Sequence, residues 1–431
     1  MATRSLRSSR SQHPERGVAA LQLIVLLGPV FLIMMGFAVD LGRLYSSRAE
    51  LKTAADAMAL AAAGRLIGTD SASEAAAAAA QLALSTAGGV GNRYDFGGLT
   101  IGETGGLLTS ETPTPEFFDN AAGAIGEDTA AEQTQADSAA ARYVRVTVRA
   151  EAPLVFFGLL AQGQERKTQL AVQAVAGVSA PLCTICGQEV IAVAPINADD
   201  TVDFGFVADT RYTLGYQCQG GLPPPALANT TQRIQYLLLD GYNVDATTLS
   251  DEGTQAYRIG VAGLPPNTNR DLACLRMDQT KILWASATTR ACNATVNPTA
   301  INHLCGLAAR FDNTVPDACA AIPEVDSVIA GHPIDSDTTD LDTYAGYTGN
   351  TRRVITAAIV DALNAAGEMT ILGWRQFLIE PSNGAATLNI DAQNGRFPVL
   401  YIGSPVPVRQ GSFAGCTSQL ASGPGKVVLY R

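Results

Sequence analysis

From Gly17 to Val39 the chain carries no charged side chain and one side-chain amide, Gln22, between Arg16 and Asp40. At about 1.5 Å per residue, a helix of this length crosses a hydrocarbon core of roughly 30 Å and satisfies its own backbone hydrogen bonds on the way. The segment predicts a membrane-spanning helix at 17–39 and sets where everything after it resides. Arg4, Arg7, Arg10 and Arg16 precede the span, whereas Arg43, Arg48 and Lys52 follow it. The excess of cations before the span predicts a cytoplasmic basic tail at 1–16. A cleaved signal peptide, cut near Gly36-Phe37-Ala38, is the rival reading. Its apolar core would be about 7–15 residues, shorter than this run. The expected location is therefore the inner (cytoplasmic) membrane, single-pass, with the bulk of the chain periplasmic or otherwise extracytoplasmic.

The helical pattern continues past the span. Leu41, Leu44, Tyr45, Leu51, Ala55, Met58, Ala62 and Leu66 recur mostly at steps of three and four, and neither Gly nor Pro falls between Arg43 and Ala63. Lys52 and Asp56 make an i,i+4 pair worth only a few tenths of a kcal/mol, so the apolar face needs a packing partner. Ser71-Ala-Ser-Glu74 has capping-box spacing ahead of an alanine run, and Gly88-Gly89 supplies a stop. Residues 102–138 read as loop or weak helix. Tyr143 to Ala150 alternates strictly, with Val144, Val146, Val148 and Ala150 on one face, and Thr168 to Ala176 is a weaker second strand. Between them Pro153-Leu-Val-Phe-Phe-Gly-Leu-Leu160 is far too short to cross a bilayer and reads as a helical turn or core plug. The expected arrangement over 40–178 is a long amphipathic helix packed on a small antiparallel sheet, a pilin-like layout.

Three stretches carry a resemblance to a known family. They are Arg16-Gly-Val-Ala-Ala20 leading into an apolar run broken by Pro29, then Ala38-Val-Asp-Leu-Gly-Arg-Leu-Tyr45, then Leu51-Lys-Thr-Ala-Ala-Asp-Ala-Met-Ala-Leu-Ala-Ala-Ala63. Together they resemble the TadE/TadG-like proteins of the Flp, or tight-adherence (Tad), pilus-assembly system of bacteria. Residues 142–178 are similar to the region that follows in such proteins, and 352–360 with 370–378 to the closing strands of some members. The resemblance implies a membrane-anchored component of pilus assembly and secretion, supporting surface adherence through contacts with pilin-like or other Tad-system proteins. Two family features are missing. Pseudopilins cut by a prepilin peptidase have Glu where this chain has Gln22, and the Asp-x-Ser-x-Ser metal pentapeptide of longer TadG-like members does not occur.

Cys183, Cys186, Cys218, Cys274, Cys292, Cys305, Cys319 and Cys416 all follow residue 182, an even count that predicts disulfides in an exported region. Proximity in sequence suggests Cys305 with Cys319 and Cys274 with Cys292. Cys183-Thr-Ile-Cys186 is followed by Gly187 rather than the His of a haem site, and no second close pair completes a zinc site. A redox dithiol is the remaining special reading and structural disulfides the ordinary one. Residues 352–360 and 370–379 read as a strand pair, Lys426 to Arg431 as a final strand, and Gly220 to Pro225 as a loop. The whole is therefore α+β: a transmembrane helix running into the pilin-like region, then a β-rich, cysteine-containing periplasmic domain over 179–431.

Little in the chain points to catalysis. His303 and His332 stand in loop-like contexts with no neighbour at zinc-ligand spacing, and Gly411 to Gly415 places its serine one position early for a nucleophile elbow. The cluster Asp335-Ser-Asp-Thr-Thr-Asp-Leu-Asp342 is the best ion-binding candidate. It lacks the EF-hand Gly and Glu, however, and reads more simply as a solvated acidic loop. With 40 Asp and Glu against 29 Lys and Arg, the chain has no basic footprint for nucleic acid. No catalytic, cofactor or metal residue is assigned, no cofactor is expected, and the expected function is non-enzymatic. The alternative is an anchored periplasmic hydrolase or ligand-binding protein that uses the Cys-containing domain, with Asp337 or Asp340 in its site.

Overall fold

The computed structural model describes residues 15–87, 113–126, 135–154, 156, 167–217, 222–239, 258, 261–263, 274–278, 280–282, 298–315, 317–319, 321, 323–364, 368–382, 386–390, 395–414, 416 and 422–430. The chain is mixed α and β. It falls into two compact units, one of residues 1–57, 82–114 and 146–174, the other of 58–81, 115–145 and 175–431.

The first element, α1 (Glu15–Ala63), is one unbroken helix with Pro29 inside it. Along the predicted apolar face burial begins late: Leu51, Ala55, Met58, Ala62 and Leu66 are covered, whereas Tyr45 is two-thirds exposed and Leu41 borders on exposed. The predicted apolar face is therefore a protein-packing face only from Leu51 onward. The Lys52–Asp56 pair forms at 2.8 Å, and Lys52 Nζ also donates to the Gln173 carbonyl at 2.7 Å. Next come α2 (Ala72–Ala87), β1 (Glu116–Phe118) and the single turn α3 (Ala121–Ile125). The last two lie inside the stretch read as loop or weak helix. Asn120 caps α3 by accepting the Gly123 N–H, and Gly126 ends it in the left-handed region.

Strands β2 (Tyr143–Pro153) and β3 (Lys167–Val178) follow as the alternation predicts, with Val144, Val146, Val148 and Ala150 buried. Most of the apolar run 153–160 lies outside the described residues.

The second unit is organised by a sheet that closes on itself. Its strands, in chain order, are β4 (Thr184–Cys186), β5 (Ile191–Val193), β6 (Arg211–Tyr216), β7 (Arg233–Leu238), β8 (Cys274–Arg276) and β9 (Thr280–Ile282). Helices α4 (Pro298–Ala308) and α5 (Pro323–Ala330) intervene. They are followed by β10 (Val354–Val360), β11 (Glu368–Ile379), β12 (Arg396–Tyr401), β13 (Gln410–Ser412) and β14 (Val427–Tyr430). The ladder runs β10-β5-β7-β6-β12-β11, and β11 pairs back onto β10, making a ring of six strands with β9 added to β11. Closure removes the unpaired edges that an open sheet leaves exposed. Pairs β10–β5 and β6–β7 are parallel, and the other four in the ring are antiparallel. Tyr236, Trp374, Phe377 and Phe397 are fully buried in its core.

The predicted strand pair is β10 with β11, in register from Val354 opposite Leu378. The predicted last strand is β14, and it pairs with β3, from Val427 opposite Val178. The first unit's sequence neighbours also contribute to the second: Ile67 packs with Tyr344, Tyr347, Leu400 and Ile402, and Ser138 Oγ donates to the Thr69 carbonyl at 2.9 Å.

Disulfides join Cys183 to Cys416, Cys186 to Cys274 and Cys305 to Cys319. The last agrees with the expectation. The pairing of Cys274 with Cys292 does not: β4 and β8 lie antiparallel with Cys186 directly opposite Cys274, their Cα atoms 4.0 Å apart. Strand register, which sequence proximity cannot reveal, decides the partner. The same pairings separate Cys183 from Cys186, so the two do not form a redox dithiol.

Candidate functional site

The N-terminal half of α1 has the surface of a helix made for a non-aqueous medium. Every described side chain from Leu21 to Met35 is exposed except the half-buried Gly28, and all but Gln22, Gly28 and Pro29 are large and apolar. A helix apolar on all sides suits a protein interior, a membrane span or a signal sequence, and little of this one is buried. Length and composition suffice for one membrane crossing. Pro29 is no obstacle, because spanning helices tolerate the missing hydrogen bond. At the end of the run two residues are covered, Gly36 and Asp40, and both meet Phe156. A Cβ added to Gly36 would lie 2.8 Å from Phe156 Cβ, and the Asp40 carboxylate accepts the Phe156 backbone N–H at 3.0 Å.

Among the described residues of the second unit, two clusters bring buried charged side chains together. In the first, Asp335 and Asp337 are buried, which corrects the solvated reading of 335–342 for these two carboxylates. Asp335 accepts from the Tyr347 hydroxyl at 2.6 Å, the Arg353 N–H at 2.8 Å and the Asp337 N–H at 3.0 Å. Asp337 accepts from the hydroxyls and backbone N–H groups of Thr339 and Thr348. These carboxylates take the place of missing backbone partners in a tight loop, and burying them without such bonds would be costly. Asp340 and Asp342 remain outside and face Arg211 at 2.8 and 3.6 Å. Among the described residues no group of three or more His, Cys, Asp or Glu is placed to hold a metal.

Arg353, fully buried, sits between Asp337 and Glu380 at 3.8 Å from each. Burial tends to raise the Asp337 pKa, but the Thr339 and Thr348 hydrogen bonds and Arg353 outweigh it and hold the carboxyl below its ordinary range. Burial dominates at Glu380 and pushes it up to about 8 against the pull of Arg353. One cation is thus matched by one ionised carboxylate at neutral pH, and the second carboxyl stays protonated. For Glu380 the folded protein holds a proton that the unfolded chain has released, so its contribution to stability falls as pH rises from about 4.5 to about 8. Glu380→Gln is expected to raise the unfolding midpoint above pH 8, where the wild type has lost that contribution, and to change it little near pH 4. Thermal unfolding across that pH range measures the difference.

The second cluster is Glu189, His303 and Arg310. Glu189 lies 3.2 Å from His303 Nε2 and accepts from Arg310 Nη2 at 2.8 Å. His303 is on α4 rather than in a loop, fully buried, with the Tyr236 and Phe397 rings within 6 Å of its own. His332 is exposed. Neither Glu189 nor Arg310 stands out in the sequence; the one signal is that Arg310 interrupts the apolar run Leu304 to Phe311. Both clusters are closed by packing. A groove of about 460 Å³ lined by Ala194, Pro195, Pro223, Pro224, Pro225, Arg233, Ile234 and Gln235 includes no member of either.

No curated protein and no solved structure matches the chain. One family does, described as "Putative Flp pilus-assembly TadE/G-like", over residues 17–65. The match starts with the exposed apolar run and ends where α1 has become a packed helix. The similarity to that TadE/G-like family is therefore carried by the N-terminal segment, residues 17–65.

Proposed function

We propose that the chain is a non-enzymatic, membrane-anchored component of Flp/Tad-type pilus assembly and secretion that supports pilus biogenesis and surface adherence through protein–protein contacts. The observation that carries this is the coincidence of the family match at 17–65 with an exposed, uncharged helix of spanning length. In this reading residues 1–16 are a cytoplasmic tail and 17–39 cross the inner membrane. Residues 40–178 form a pilin-like helix-and-sheet region that engages pilin-like or Tad-system partners, and 179–431 form a disulfide-containing periplasmic domain. The three disulfides among the described residues support an oxidising compartment for that domain.

Deleting the gene is expected to abolish or strongly reduce piliation and surface attachment, with restoration by the wild-type gene. The paired substitution Leu26→Arg with Phe31→Arg, at exposed positions in mid-span, adds about 2.5–3.5 kcal/mol per arginine to insertion. It is expected to remove the protein from the membrane fraction and to fail in complementation. Normal piliation in the deletion strain would overturn the proposal.

A further inference from the structure

We propose that Phe156, just past β2, makes a second contact with the bilayer, resting against the last turn of the span with its ring among the lipid chains at the interface. This rests on the anchor reading of 17–39, because the depth of Phe156 is set by what it touches. Gly36 belongs to the uncharged run, and a Cβ there would meet Phe156 Cβ at 2.8 Å and Cγ at 2.9 Å. The phenylalanine is packed on bare helix backbone, so whatever depth Gly36 occupies, Phe156 shares it. One helical turn further on, Asp40 is 3% exposed and holds the Phe156 N–H at 3.0 Å. Side chain and backbone are thus gripped at two successive levels of the helix, the apolar ring toward the span and the polar N–H toward its charged end.

The chemistry of each contact suits the edge of a bilayer. Non-helical backbone at that depth needs its N–H groups paired, and a carboxylate just beyond the apolar run supplies the acceptor. An apolar ring held at that depth is removed from water, which favours the edge of the hydrocarbon. The Phe156 ring is 41% exposed, and the side chains flanking Gly36, Met35 and Phe37, are 66% and 50% exposed. Left in water, these side chains would add to the exposed apolar surface of the run, of the kind that soluble surfaces avoid. The surrounding sequence 153–160 has no charge to keep it out of the interface.

Full-length protein in phosphatidylcholine vesicles tests this with Phe156→Trp, with Phe31→Trp as the mid-span control. Trp284 and Trp374 supply a background that the parent protein corrects for. Phe156→Trp is expected to emit at shorter wavelength and to be quenched most by lipids brominated near the headgroup end of the chain, Phe31→Trp by lipids brominated near the chain terminus. Adding Gly36→Leu to Phe156→Trp should displace the ring and cost most of that lipid quenching, while leaving the Phe31→Trp signal unchanged. Quenching at position 156 by aqueous iodide and by no brominated lipid, with the Phe31→Trp control still quenched by lipid, would overturn the proposal and leave the anchor intact. Absence of lipid quenching at both positions would overturn both. Unchanged lipid quenching after Gly36→Leu would overturn the packing that is held to place Phe156.

Discussion

Arg353→Met is expected to lower stability by about 3–5 kcal/mol, the range for removing one member of a buried ion network. The methionine fills much of the volume, so the loss is electrostatic and hydrogen-bonding rather than a cavity effect. Two carbonyls, of Thr339 and Ile379, lose the Nη1 donor that reaches them at 3.0 and 3.1 Å. Asp337, ionised and buried, loses its nearest cation. The Phe311 and Tyr347 rings, 5.3 and 5.5 Å from the guanidinium carbon, lose a charge over their faces. Arg353→Lys keeps the charge without the planar fork and should fall between the two. Adding Asp337→Asn to Arg353→Met should recover part of the loss, because a neutral amide no longer needs the cation. The coupling from the double-mutant cycle, read by denaturant unfolding, measures the pair directly. If Arg353→Met costs less than about 1 kcal/mol, the side chain is not the organising charge of this cluster.

How much of this was legible beforehand depends on how local the signal is. The helix from Glu15 to Ala63 could be read because both of its signals, an uncharged run and a three-to-four periodicity, are contained in the segment. Strands β2, β10 and β11 were legible for the same reason, and their antiparallel pairing in β10–β11 follows from adjacency. The ring was not. Its closure depends on parallel pairing of Ala358 with Ala192 and of Leu214 with Ile234, and nothing in either stretch names its partner. β14 could be seen as a strand but not as the partner of β3, nearly the whole second unit away.

The polar clusters failed to appear for a related reason. Asp335-Ser-Asp337 looks like surface, and Tyr347, Thr348 and Arg353, ten or more residues on, fold back onto its carboxylates. Glu189 and His303 are 114 residues apart and have no shared pattern. The candidate anchor, by contrast, is a property of one contiguous segment, and the family match falls on that same segment.

Removing the Cys186–Cys274 bridge by a double serine substitution is expected to cost about 2–5 kcal/mol, more than removing Cys305–Cys319. A disulfide acts largely by restricting the unfolded chain, and the restriction grows with the loop it closes. A separation of 88 residues corresponds to about 4–5 kcal/mol in the chain-entropy model, against about 3 kcal/mol for a separation of 14. The Cys183–Cys416 bridge encloses the Cys186–Cys274 loop, so the two are not independent. With either intact, the other closes a shortened path, and breaking both should cost less than the sum of the full loop values. Both also hold β4, through Cys183 beside it and Cys186 within it, and β4 is the central strand between β13 and β8. Loss of both should therefore loosen that three-stranded sheet ahead of the ring, giving early hydrogen exchange at Thr184 to Cys186 while Trp374 stays buried. Thermal unfolding of the serine variants, with disulfide mapping by mass spectrometry, orders the three bridges. A larger loss for Cys305–Cys319 than for Cys186–Cys274 would mean that native packing around α4, rather than loop closure, sets the contribution of these bonds.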